Sequence, residues 1–143
     1  MSTELFKSFD PARWNACLKL LCRPLESLDS VQRPAALVLH YDGRVQNGGH
    51  SAHFDSDQCA DDDALLQALK DMGAREHARI LAEARFLKRS ADTAPEDEQD
   101  YYWESIQDLD RRYYRLRPDI SEVLARYFDA HRESFPKGNE GLT

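Results

Sequence analysis

The stretch PAALVLHYDGRVQNGGHSAHF, residues 34–54, decides how the rest of the chain is read. Ala35, Leu37, Val38, Tyr41 and Val45 recur at helical spacing and supply one apolar side. Pro34, whose fixed φ suits a first helical turn, opens the helix. Asn47-Gly48-Gly49 closes it. Asn47 is expected to cap the helix, and two glycines can take the left-handed backbone that turns the chain sharply, so that the aromatic behind them packs inward.

The same logic extends outward. Asp10-Pro11 starts a helix to about Cys22, with Trp14, Cys17, Leu18 and Leu21 on one stripe and Pro24 as its stop. Downstream, Asp61-Asp62-Asp63 leads a helix from Ala64 to Met72, buried along Leu65, Leu66, Leu69 and Met72 and terminated by Gly73. A further helix spans Ala74 to about Lys88, with Ala78, Ile80, Leu81, Ala84 and Leu87 inward, followed by a polar loop from Ser90 to Pro95. Tyr102, Ile106, Leu109, Tyr113 and Leu116 predict a long helix from Glu96 to Leu116. The last helix begins near Pro118-Asp119, carries Ile120, Val123, Leu124, Tyr127 and Phe128, and frays before Pro136. No run alternates with period two. The expected fold is all-α: a single compact domain of about five or six helices over residues 1–136, with residues 137–143 a disordered tail.

At 143 residues the chain is long enough for one domain with a real core. No apolar run approaches the roughly 20 residues that span a bilayer. The N-terminus lacks the basic-then-apolar pattern of a signal peptide, so the expected location is cytoplasmic. Three cysteines, Cys17, Cys22 and Cys59, are an odd number without framework spacing and read as reduced thiols.

Charge is distributed unevenly. Of 26 acidic residues, 13 fall in two stretches that hold no Lys or Arg, Asp55–Asp63 and Asp92–Asp110. The whole chain is −7, and the remainder outside these stretches is positive. An acidic balance argues against direct binding of nucleic acid or an anionic membrane, since both need clustered cations. On the long helix Asp97, Asp100, Glu104 and Asp108 share one side, around the helix from the apolar stripe. Like charges at i, i+4 cost roughly 0.2–0.5 kcal/mol per pair, and nothing in the local helix chemistry asks for them. Such a run can be simply a solvated face whose first acids offset the macrodipole. It can also be a rigid row of carboxylates imitating a phosphate backbone, with Asp57, Asp61 and Asp62 of the other block as further partner-binding residues.

The order of motifs resembles that of a family of small bacterial all-helical proteins that includes a DNA mimic. The residues that carry the resemblance are Asn47-Gly48-Gly49 behind the helix bearing Tyr41 and Val45, then His50, His53 and Phe54, then Gly73-Ala74, then Leu109-Asp110 with Tyr113 and Tyr114. It covers roughly residues 34–128, with Asn47, Gly48, Gly49 and Gly73 as the structural motif. Where family members often carry an aromatic directly after the two glycines, this chain has His50, with Phe54 four residues later. The resemblance implies an all-helical fold, no known enzymatic activity, and, for one member, an acidic dimer that occupies the DNA-binding surface of a transcription factor. The mimicry acids lie outside the shared motif, so they are not carried over by position.

Other chemistry is thin. His50 and His53 stand three apart and could face one ion with Asp55 and Asp57, a metal or enzyme reading set against a plain packing pair. A calcium loop fails, because Ala60 and Leu66 occupy the positions that need Gly and Glu. There is no nucleophile elbow and no Gly-rich phosphate loop. His40, His77 and His131 lie alone on helices. Tyr101, Tyr102, Trp103, Tyr113 and Tyr114 cannot all point inward, and exposed ones beside acids fit either a homodimer or a partner contact. The expectation is a non-enzymatic interaction protein without cofactor or metal, whose partner is a basic protein such as a transcription factor. An immunity protein against a basic toxin is the alternative.

Overall fold

The computed structural model describes residues 10–56 and 61–137. They form six α-helices and no strand: α1 (Pro11–Leu21), α2 (Gln32–Phe54), α3 (Asp62–Asp71), α4 (Arg75–Thr93), α5 (Glu96–Arg115) and α6 (Ile120–Ala130), with 3₁₀ turns at Leu25–Ser27 and Arg132–Ser134. The all-α expectation holds. No helix among the described residues is long and apolar enough to cross a membrane. The chain divides into two units, Met1–His40 with Pro118–Thr143, and Tyr41–Arg117. The final residues 138–143 of the expected tail lie outside the described residues.

In the first unit, Asp10 caps α1 through its side chain, which accepts from the Ala12 N–H at 3.0 Å. The start of α2 is set earlier than Pro34. Asp29 accepts from the Gln32 N–H at 2.7 Å while the Gln32 side chain accepts from the Asp29 N–H at 3.1 Å, a reciprocal capping box. Cys17, Leu21, Val38, Ile120, Leu124 and Phe128 form the core. Trp14 and Leu18, expected on the buried stripe of α1, are only half-buried. Arg13 is buried instead, donating to the Phe128 carbonyl at 2.8 Å and the Pro136 carbonyl at 3.2 Å, and so ties the end of the described chain to α1.

In the second unit, α3 and α4 form a helical hairpin. Gly73 sits at φ +83°, its N–H bonded to the Lys70 carbonyl, and the Ala74 N–H bonds to the Leu69 carbonyl at 2.8 Å. This is the Schellman closure expected of a glycine at that place. The expected loop Ser90–Pro95 is helical up to Thr93. Its polar side chains satisfy themselves locally: Ser90 donates to the Phe86 carbonyl, Thr93 to that of Arg89, and Lys88 pairs with Asp92 one turn on. Phe86, on the middle of α4, is 67 % exposed.

The Asn47-Gly48-Gly49 step does not end α2 but breaks it. Gly48 (φ −157°, ψ 20°) and Gly49 (φ +73°, ψ −174°) leave the helical region, and the chain is helical again to Phe54. Asn47 is exposed and its side chain caps nothing among the described residues; the glycines alone make the turn. Gly49 is required there twice over. Its φ is left-handed, and a Cβ on it would run into Asp110 Oδ2.

Candidate functional site

The break at Gly48-Gly49 points His50 and His53 into the interior of the second unit, where both are fully buried. Asp110, on α5, accepts the His50 backbone N–H at 2.9 Å and faces its Nδ1 at 2.6 Å. An ionised carboxylate only accepts, so Nδ1 carries the proton. The other ring nitrogen, Nε2, lies 2.6 Å from the Tyr41 hydroxyl, which donates to it. His53 is fixed in the opposite tautomer. Arg44 Nε can only donate, and it does so to His53 Nδ1 at 3.0 Å; Nε2–H then donates to Asp62 at 2.7 Å. Tyr113 donates to Asp42 at 2.6 Å and stacks edge-on to Tyr41, His50 and His77 at centroid distances of 5.2–5.8 Å.

Burial pushes the Tyr41 hydroxyl well above the ordinary tyrosine range, and Asp42, Asp62 and Asp110 add to this. Burial likewise raises Tyr113, with Tyr41 and Asp42 adding. Both therefore stay neutral and serve as donors. What this network can do chemically is hold α2, α3 and α5 together: each net hydrogen bond is worth about 1 kcal/mol, more where a carboxylate is a partner.

The expected alternative of an ion shared between His50 and His53 meets a different geometry. Both nitrogens of each ring face protein groups, and among the described residues no group of three His, Cys, Asp or Glu could hold a metal. Asp55 is exposed, and Asp57 lies outside the described residues.

The acidic face of α5 is built by helical phase. At about 100° per residue, Asp97, Glu104 and Asp108 fall within roughly 40° of one another, with Asp100 beside them and Ile106, Leu109 and Tyr113 on the opposite side. The latter three are buried and the four acids are exposed. Asp97, Asp100 and Glu104 have no ion-pair partner among the described residues. Asp108 does: Arg111 reaches it at 2.9 Å, an exposed i, i+3 pair.

The described acids of the Asp55–Asp63 stretch behave differently. Asp61 is exposed at the start of α3 without capping it. Asp62, expected on the docking surface, is buried, bound by His53 and 3.8 Å from Arg85. Its burial and its bond to His53 withdraw it from any partner. Asp63 is exposed but paired with Arg85 at 3.0 Å. Within the Asp92–Asp110 stretch, Asp110 likewise serves the interior. Sequence reasoning missed both inward carboxylates. It also missed Arg44 and His77, whose roles depend on neighbours distant in the chain.

The family profile described as DMP19-like protein matches residues 26–131, and the chain belongs to that family. No curated protein and no solved structure matches it.

Proposed function

We propose that this member of the DMP19-like family is a non-enzymatic interaction protein that presents the acidic face of α5 to a basic protein surface, in the manner of a DNA mimic. The observation that carries this reading is the exposed, unneutralised row Asp97, Asp100 and Glu104 opposite the buried stripe of the same helix. Side chains one turn apart repeat at about 6 Å, against one phosphate per about 3.4 Å of axis on each strand of B-DNA. The row thus offers roughly every second charge of one strand, along a helix of 20 residues. Asp108 extends it, since an exposed pair such as Asp108–Arg111 is worth at most about 1 kcal/mol and a partner's cation can replace it.

The buried network supports a binding role over catalysis. A Tyr-His-Asp chain could move protons, but Tyr41 and His50 are fully buried, with no face left for a substrate. The expected occupant is the DNA-binding groove of a cytoplasmic transcription factor or a similarly basic protein; no nucleic acid, membrane or cofactor enters the account.

The test is charge reversal. With Glu104→Lys/Asp108→Lys, binding to the basic partner drops at least tenfold at low salt, and wild-type binding weakens steeply as salt rises. Binding indifferent to both the reversal and the salt would sink the reading.

A further inference from the structure

The α3–α4 hairpin carries a second surface of opposite character. An open cavity of about 550 Å³ is lined by Leu66 and Lys70 from α3 and by Arg75, Ala78, Arg79 and Ala82 from α4. Its charged lining is wholly cationic, in a chain of net charge −7. Lys70 and Arg75 are exposed and have no ion-pair partner among the described residues, and Arg79 meets only the exposed Glu76 at 2.9 Å. The floor is small and apolar: Ala78 is buried, Leu66 half-buried and Ala82 exposed.

The spacing is what gives the groove its direction. Leu66 and Lys70, Arg75 and Arg79, and Ala78 and Ala82 are each one turn apart, so apolar floor and cationic rim run along the helices rather than closing around a point. Alanine at two successive turns lets another backbone approach closely, which suits a rod more than a compact small molecule. The volume is that of a ligand site, but the open side leaves no room to bury most of a small ligand.

We propose that this groove docks an amphipathic helix of a partner protein with an apolar stripe flanked by acids. Its apolar side chains rest on Leu66, Ala78 and Ala82, and its carboxylates meet Lys70 on one wall and Arg75 and Arg79 on the other. The protein then has two faces of opposite sign, an acidic one on α5 for a basic partner and this one for an acidic partner. The groove does not rest on the reading of α5, and the two fail separately.

The probe is a lactam-stapled peptide with leucines along one stripe and glutamates on both flanks, with a lysine-flanked twin as control. Binding to the full chain is followed by fluorescence anisotropy and mapped by amide chemical-shift changes. The glutamate peptide binds and perturbs α3 and α4. Arg75→Glu/Arg79→Glu weakens it about tenfold or more, the loss of two rim pairs and their replacement by repulsion. Ala82→Glu and Lys70→Glu, at exposed helix positions, weaken it too, while Asp97→Asn/Asp100→Asn/Glu104→Gln leaves it unchanged. The proposal is overturned if the glutamate peptide does not bind, if the lysine twin binds equally, or if the groove variants bind as wild type. It is also overturned if sedimentation shows self-association that Arg75→Glu/Arg79→Glu abolishes, which would make a second copy the occupant.

Discussion

A single oxygen of Asp110 faces both the backbone N–H and the ring Nδ1 of His50, at 2.9 and 2.6 Å, across 60 residues of chain. The glycine before His50 makes this approach available, since any Cβ at position 49 would occupy the space of the carboxylate.

Gly49→Ala should therefore be among the more damaging single substitutions, combining a left-handed backbone with a steric clash, at about 2–4 kcal/mol. Asp110→Ala should cost a similar amount, about 2–4 kcal/mol, because two donors at His50 are left buried and unpaired. Gly43→Ala, where a Cβ meets nothing within 4 Å, is the control and should be neutral or mildly stabilising. Urea titrations of the three variants check this. A Gly49→Ala protein as stable as wild type would contradict the packing described.

The buried tyrosines set the alkaline limit of the fold. Burial raises Tyr41 and Tyr113 above their ordinary value in the folded state. Their contribution is intact below the unfolded tyrosine pKa of about 10 and is lost progressively above it, as the unfolded chain gives up protons that the folded chain keeps. Each such tyrosine removes up to about 1.4 kcal/mol per pH unit. Tyrosinate absorbance followed with far-ultraviolet circular dichroism should show Tyr41 and Tyr113 ionising only as the helices melt. In Tyr41→Phe the alkaline slope should fall, while stability at neutral pH drops by about 1–3 kcal/mol because His50 Nε2 loses its donor.

Thiol reactivity should separate two cysteines on neighbouring turns. Cys17 is fully buried and its thiol is pushed up to about 11 by burial, against a smaller opposing pull from Arg13, whereas Cys22 is exposed. Alkylation mapped by mass spectrometry should label Cys22 in the native protein and Cys17 only on unfolding. Equal labelling rates would show that the first unit opens far more readily than its packing suggests.

The acidic face should be a place where stability and binding pull apart. Glu104→Lys removes like-charge neighbours at Asp100 and Asp108 and places a cation one turn from each. It should stabilise the fold by about 0.5–1 kcal/mol, or roughly 2–4 °C in Tm, while weakening partner binding. A thermal melt beside a binding curve checks both. Loss of stability would mean that Glu104 serves the fold.

The helices were legible because their evidence is local. The phase of Ile106, Leu109 and Tyr113 fixes the inner side of α5, and Gly73 ends α3 as its conformational freedom suggests. The Asn47-Gly48-Gly49 step was recognisable as a turn, but not as an interruption within α2, since what holds the chain beyond it is Asp110, far away in sequence. For the same reason Asp62 read as one more surface acid. Three aspartates in a row differ only in helical phase, and that phase is set by where α3 packs. The exposed row on α5 was readable because charge pattern and helical phase both lie within a single helix. The cationic groove was not, because its walls come from two helices and each lysine or arginine alone is ordinary.

The account stands or falls on whether α5 competes with DNA. The direct measurement is capture of basic DNA-binding proteins on the immobilised chain, followed by elution with duplex DNA, beside the Asp97→Asn/Asp100→Asn/Glu104→Gln variant. The account predicts that a basic protein is retained by the wild type, released by duplex DNA and not retained by the variant. A partner that stays bound in the presence of DNA, or that the variant holds as firmly, would contradict it.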